Sequence, residues 1–172
     1  MNRRQALQGI LVVSGGVILF PKCEMLRKPI PVYENLTIDR TQFNLIKDLA
    51  NILLPIPDLE ISNPEPVQEF VLTMVNDCVP LEDCELFVTG LKEFQLMLQE
   101  KYNKPLTKFT KEDQSDFFEM VSNLTEEQKA LKTFFDATLN YTKQHFMGSE
   151  YFLTKHLDWK FIPSGYDGCA SV

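Results

Sequence analysis

Apolar residues recur every three or four positions along most of this chain, and prolines interrupt the pattern. The first stripe starts after Thr41, ends at Pro55-Ile56-Pro57 and comprises Phe43, Ile46, Leu49, Ala50 and Leu53. This spacing is typical of the buried face of an α-helix, and proline does not continue a helix. No segment competes with it by showing the strict alternation of a β-strand. The pattern therefore predicts an all-α fold.

The same signals predict four to five further helices. They run from Pro66 to just before Val79-Pro80, from about Leu81 to Tyr102, from Thr110, from Thr125 to Gly148, and from Ser149 to about Leu157. Their inward faces are expected to carry the large apolar side chains and two threonines: Val67, Phe70, Val71, Met74, Val75, Phe87, Leu91, Phe94, Met97, Leu98, Phe117, Phe118, Val121, Leu131, Phe134, Phe135, Thr138, Tyr141 and Thr142. Thr110 and Thr125 each precede acidic residues in the order of a capping box. We expect a small bundle of five to six antiparallel helices with an ordered C-terminal loop from Asp158 to Val172.

The N-terminus has the layout of a bacterial export signal. Arg3 and Arg4 precede an apolar run from Gly9 to Phe20, and a paired arginine at this place is typical of the twin-arginine route for folded proteins. The run is shorter than the roughly 20 residues that an ordinary spanning helix needs. We therefore divide the chain into a signal (1–22), an extended linker (23–40) and a helical domain (41–172), and expect a periplasmic protein. A plain secretory signal, an uncleaved anchor at the inner membrane and lipidation of Cys23 stay open as alternatives.

The charge of the body argues against one class of partner. The full chain has a net charge of −7, and without residues 1–22 it has 14 basic and 24 acidic residues, a net charge of −10. Such a surface repels a phosphate backbone. Nucleic acid is therefore excluded as the expected partner.

Four cysteines, at positions 23, 78, 84 and 169, could pair in an oxidising compartment. Cys78 and Cys84 are close enough for a local bridge around Pro80, and Cys169 could instead be joined to the body. The spacings do not match a zinc or iron–sulfur set. A structural disulfide or a free buried thiol is expected, and no metal ligand.

Signatures of catalysis are mostly absent. There is no phosphate-binding loop, dinucleotide fingerprint or nucleophile elbow, and His145 and His156 are the two histidines. We predict no catalytic, cofactor-binding or metal-binding residue in this chain, with an enzyme site around His145, His156 and Asp158 as an alternative.

Aromatic residues are concentrated near the C-terminus in a segment rich in glycine and proline. Tyrosine and tryptophan are favoured anchors of protein interfaces, so this segment is a candidate partner surface. A tail that folds back over the bundle is the other interpretation. The candidate interface residues are Glu150, Tyr151, Trp159, Phe161, Pro163 and Tyr166.

Several short motifs, in this order, resemble those of a known family. They are Leu49 to Pro55 at a helix end, the segment from Pro66 to Val71, Lys104-Pro105-Leu106, Gly148-Ser149-Glu150 and Tyr166-Asp167-Gly168-Cys169. Together with the arginine pair and the helical body, they resemble subunit 3, the small subunit of membrane-bound gluconate 2-dehydrogenase. The resemblance extends from about Phe43 to Cys169.

The resemblance implies a role as an accessory subunit. Members of that family partner a large FAD-dependent dehydrogenase of the glucose–methanol–choline class, which oxidises sugars or sugar acids outside the cytoplasm, often with a cytochrome c subunit. The small subunit supplies the signal for the twin-arginine translocase and is needed for a mature partner. FAD is then expected in the partner and no cofactor in this chain. The alternative is a free-standing exported protein that binds a ligand in a phenylalanine-lined pocket.

Overall fold

The computed structural model describes residues 29–55, 63–157 and 159–160. By its internal contacts the chain divides into two units, Met1–Ile30 and Pro31–Val172. All the described helices belong to the second unit. The proposed signal, including Arg3 and Arg4, and most of the expected C-terminal loop lie outside the described residues.

Six α-helices form the second unit, and its described residues contain no strand, which confirms the all-α prediction. The helices are α1 (Arg40–Leu53), α2 (Val67–Cys78), α3 (Leu81–Met97), α4 (Lys111–Ser122), α5 (Lys129–Met147) and α6 (Glu150–His156). A π-helical turn, Leu98–Tyr102, continues α3, and 3-10 turns at Leu106–Lys108 and Glu126–Gln128 precede α4 and α5. None of the helices described is both long and apolar enough to cross a membrane.

Helices α3 and α5 form the centre of the bundle and share its most extensive contact. Gly90 of α3 lies directly against the backbone of Ala130, and the ring of Phe87 contacts that of Phe134 at 5.1 Å. Gly90 follows Phe87 along α3, whereas its neighbour Ala130 precedes Phe134 along α5. The two helices are therefore antiparallel. Helices α1 and α2 pack against α5 from their own sides.

The core between the helices is built from phenylalanine rings. Phe94 contacts Phe135 at 5.0 Å, Phe134 at 5.6 Å and Phe117 at 6.0 Å between ring centroids. Phe87, Phe94, Phe117 and Phe134 are each at most 1% exposed. Tilted and edge-on aromatic pairs of this kind add to the free energy gained by burial. The rings thus fill the interior of the bundle, where the alternative function placed a phenylalanine-lined ligand pocket.

The segment before α1, residues 31–39, has no regular secondary structure and packs on α2. The backbone N–H of Asn35 donates to Asn76 Oδ1 at 2.8 Å, and Asn35 Nδ2 donates to the Asn76 carbonyl at 3.0 Å. Leu36 is buried. Burial, together with the carboxylates of Glu69 and Glu65, raises the pKa of Tyr33 to about 12. This part of the expected linker therefore belongs to the folded body.

Two details of the predicted helices were wrong. Phe118 is 39% exposed and Val121 is half-buried, because α4 buries a single residue, Phe117. Phe118 follows Phe117 directly, and successive residues on a helix point about 100° apart. Thr125 makes no capping bond with its side chain, and the chain first forms the 3-10 turn before α5 begins. The predicted cap at Thr110 is confirmed, since its hydroxyl accepts from the N–H of Asp113.

Candidate functional site

The junction of α5 and α6 holds the described part of the predicted interface. Gly148 ends α5, and the buried Ser149 begins α6 by accepting a hydrogen bond from the Phe152 N–H at 3.2 Å. The Ser149 hydroxyl also donates to the Phe146 carbonyl at 2.6 Å. These two bonds fix the direction in which α6 leaves the bundle, because they join the last turn of α5 to the first turn of α6.

Aromatic rings follow one another along α6. Phe146 contacts Phe152 at 5.3 Å, and Phe152 stacks on His156 at 5.3 Å with an interplanar angle of 28°. Tyr151 contacts the same histidine ring at 5.6 Å. The backbone N–H of Trp159 donates to the Leu153 carbonyl at 3.0 Å. This bond holds the chain against α6 beyond the end of the helix.

Large apolar side chains around this junction remain exposed to solvent. Met147 is 52% exposed, Leu157 59% and Trp159 48%. Glu150 is exposed beside them, and Tyr151 is half-buried. We call these five residues the C-terminal surface. Exposed large apolar side chains that lie close together along the chain make this segment a candidate interaction site.

The structure describes three of the six residues that the sequence predicted for an interface. Glu150, Tyr151 and Trp159 lie on the C-terminal surface, whereas Phe161, Pro163 and Tyr166 lie outside the described residues. Met147 and Leu157 were not predicted. Met147 falls outside the stripe of α5 that faces the core, and this periodicity was the signal that could have found it.

The two histidines have separate structural surroundings. His145 Nε2 lies 2.8 Å from the Glu65 carbonyl, Asn63 Nδ2 donates to the His145 carbonyl at 3.0 Å, and Phe70 contacts the imidazole at 5.4 Å. His145 thereby ties residues 63–66 to the end of α5. His156 is exposed and stacks on Phe152.

Comparison with known proteins decides the family. The model of the family described as gluconate 2-dehydrogenase subunit 3 matches residues 40–165. The chain belongs to this family. The match covers well over half of the 172 residues, and it begins at the first residue of α1 and includes α6. Comparisons with curated proteins and with solved structures give no match.

Membership in the gluconate 2-dehydrogenase subunit 3 family rests on the helical body, since Arg3 and Arg4 precede the matched range. The family's name describes one subunit of a dehydrogenase. The chain is accordingly a subunit of a dehydrogenase complex.

In this subunit 3 chain, the two described cysteines are free thiols. Cys84 is buried in the first turn of α3, where its Sγ donates to the Val75 carbonyl at 3.2 Å, whereas Cys78 is exposed at the end of α2. The predicted local bridge between them is absent from the structure because the turn at Val79-Pro80 points one inward and the other outward. Burial raises the pKa of the Cys84 thiol. Cys23 and Cys169 lie outside the described residues.

No metal centre is found in the described part of this subunit, which contains no group of three or more His, Cys, Asp and Glu residues that could hold an ion. A cleft of about 290 Å³ lies between the end of α1 and the end of α5, with Thr142 and His145 in its wall. The Thr142 hydroxyl has no hydrogen-bond partner among the described residues, but it is also closed off from solvent. A ligand in the cleft could not reach this hydroxyl without rearrangement; the polar side chains that line the cleft are Asn51, Asn63, Glu65 and His145.

Proposed function

We propose that this chain is the noncatalytic small subunit of an FAD-dependent sugar or sugar-acid dehydrogenase of the glucose–methanol–choline class. It binds the folded flavoprotein, supports its maturation and directs the pair to the twin-arginine translocase. The family match over the helical body is the observation that carries this proposal. Arg3-Arg4 before the apolar run supports the export role.

In this proposal, FAD and the catalytic residues belong to the large subunit. His145, one of the two histidines of the chain, already contacts the Glu65 carbonyl and accepts a hydrogen bond from Asn63 at its own carbonyl. The complex works in the periplasm, where a cytochrome c subunit can accept its electrons, and it is held there either through its partners or through an uncleaved signal.

We place the large subunit on the C-terminal surface. Met147, Leu157 and Trp159 supply apolar area that the bundle does not bury, and Phe161, Pro163 and Tyr166 extend the segment along the chain. The ordered turn at Ser149 holds α6 before binding, which lowers the entropy cost of association. The acidic body, with a net charge of −10 beyond residue 22, favours a partner with a basic surface.

Export of the partner tests the proposed escort role. Arg3 and Arg4 are both changed to lysine in the native host, and the large subunit is followed by immunoblot and bound FAD in cytoplasmic, periplasmic and membrane fractions. We expect the large subunit to stay in the cytoplasm, because the lysines keep the positive charge but remove the arginine pair. The control is Arg27→Lys, which alters an arginine outside the pair. Unchanged export of the flavoprotein in the double variant would contradict the escort role.

Substitution on the C-terminal surface tests the proposed interface. Trp159→Ala should lower the amount of large subunit recovered with the tagged chain by about tenfold or more, since a central aromatic anchor contributes about 2 kcal/mol or more. Phe118→Ala is the matched control, because Phe118 is also an exposed aromatic residue but lies on α4. Equal recovery with both variants would place the interface elsewhere.

A further inference from the structure

The C-terminal end of α3 departs from α-helical geometry. Leu98–Tyr102 form a π-helical turn, which ends at Asn103 in a left-handed conformation with φ 47° and ψ 31°. The Asn103 N–H donates to the Leu98 carbonyl at 3.0 Å and so closes the wider turn. Turns of this kind are rare and occur often at functional sites.

A groove of about 470 Å³ lies between this turn and the outer side of α1. Its apolar part comes from Leu45, Leu98 and Leu106, of which the last two are buried. Its polar part is rich in side-chain amides, from Asn44, Gln95, Gln99 and Asn103. Gln95 is held in place by Gln42, whose Nε2 donates to Gln95 Oε1 at 3.1 Å.

The charges of the groove are unbalanced. Asp48 lies in its wall and takes part in none of the ion pairs found among the described residues. Burial raises the pKa of its carboxyl group, against the opposing effect of Lys47. The cation in the wall, Lys104, is already paired with Asp113. Among the described residues, the groove therefore presents a carboxylate that forms no ion pair within 4 Å.

We propose that this groove binds an extended polypeptide segment of the large partner subunit, with a lysine or arginine of that segment next to Asp48. This inference rests on the proposed function as a subunit. A side-chain amide both donates and accepts hydrogen bonds, as a peptide group does, so four amides beside an apolar floor suit a main chain in extended form. The eight residues from Thr41 to Asp48 span about 10 Å of helix, enough for about three residues of extended chain.

The groove and the C-terminal surface have no residue in common. The groove uses residues from Thr41 to Asp48, whereas Ala50 and Leu54, farther along α1, line the cleft beside Thr142 and Phe146 near the end of α5. No groove residue takes part in the ring contacts of Tyr151 and Phe152 on α6, so we expect substitutions in the groove to leave those contacts in place. The partner would hold the small subunit at two places, and the loss of one would weaken the complex without removing the other.

Site-specific crosslinking tests the proposal in the full chain. A benzophenone amino acid replaces Asn44 in the groove, the tagged protein is expressed in its native host and irradiated, and the adducts are mapped by mass spectrometry. Glu127, exposed before α5 and outside the groove, carries the same probe as a control. We expect an adduct from position 44, and none from position 127, with a segment of the large subunit that contains a lysine or arginine.

The outcomes separate this inference from the proposed function. An intact complex without an adduct from position 44, or with adducts only to a second copy of this chain or to lipid, would overturn the groove and leave the subunit role standing. Failure to recover the large subunit with any variant would overturn both.

Charge reversal gives an independent measurement. Asp48→Lys should lower recovery of the large subunit by about tenfold, since one lost close charge pair at an interface is worth roughly 1.5 kcal/mol or more. Glu119→Lys, on the exposed side of α4, makes the same charge change outside the groove and should have little effect. Thermal unfolding of both variants checks that they fold. Equal recovery from two folded variants would contradict the role of Asp48.

Discussion

At the scale of single residues, Gly90 determines how closely the two central helices approach. A Cβ atom at this position would lie 2.1 Å from the Ala130 carbonyl oxygen and 2.8 Å from Phe134 Cβ. Both neighbours belong to α5, and the nearest is a backbone atom that cannot rotate away. An added methyl group would therefore force α3 and α5 apart.

We predict that Gly90→Ala destabilises the folded chain by about 1–3 kcal/mol or more, because overpacking shifts a backbone. Gly148→Ala is the control, since the nearest atom to its Cβ would be the Gln144 carbonyl oxygen at 3.4 Å. Urea unfolding followed by circular dichroism measures both free energies. A Gly90→Ala variant as stable as Gly148→Ala would show that the two helices are not in such close contact.

Asp113 gives a second prediction at this scale, on the dependence of stability on pH. The hydrogen bond from Lys104, followed by that from the Thr110 N–H, lowers the pKa of its carboxyl group below the ordinary 3.8. A carboxylate with a lowered pKa stabilises the folded state above its ordinary pKa, and this contribution disappears as the pH falls through the folded value.

Asp113→Asn should therefore lower the urea midpoint at pH 7, and the difference from the unaltered chain should shrink below pH 3.8. Asparagine can still accept from the Thr110 N–H, so the substitution mainly removes the charge. Glu119→Gln, on the same helix and outside the ion pairs of the described residues, should show no such difference. A constant difference from pH 7 to pH 3 would contradict the assigned ion pair.

At the scale of elements, a reciprocal side-chain cap marks the start of two helices, of which the one at Thr110 was predicted. Asp39 and Thr110 each accept from the backbone N–H three residues on, and the residue there returns a bond to the cap. Thr125 has the same kind of sequence but makes no such bond, because the following residues enter a 3-10 turn. Local sequence does not distinguish the two cases, since the approach of the loop onto α5 decides between them.

We predict that Thr110→Ala destabilises the chain by about 1 kcal/mol through the loss of its capping bond, whereas Thr125→Ala has a smaller effect. Thermal unfolding of the two single variants measures the difference. If Thr125→Ala costs as much as Thr110→Ala, the cap that the sequence suggested forms in solution after all.

The π-helical turn shows what periodicity could not reveal. The sequence correctly predicted that helical structure extends from Leu81 to Tyr102, but Leu98–Tyr102 have the wider geometry. The π-helical turn is the last turn before Asn103, so no further residues of that helix follow in which a shifted apolar spacing could be seen. The amide-rich groove depends on this turn and was not predicted for the same reason.

At the scale of the whole molecule, the order of the helices followed from proline and glycine positions, and the core followed from the stripes of phenylalanine. The sequence could not decide which apolar residues stay exposed, as at Phe118 and Met147, because exposure depends on which helix faces have a neighbour. The C-terminal surface was predicted only in part. Its aromatic residues were evident, whereas the positions of Met147 and Leu157 follow from the packing of α6 against α5.

The most direct test of the subunit role is to identify the proteins that the native chain binds. The chain carries a C-terminal tag in its native host and is purified from periplasmic and membrane fractions, and the recovered proteins are identified by mass spectrometry and absorption spectroscopy. We predict a yellow complex that contains FAD and a large dehydrogenase subunit in about equal molar amount. A colourless chain recovered alone from both fractions would contradict the role as a dehydrogenase subunit.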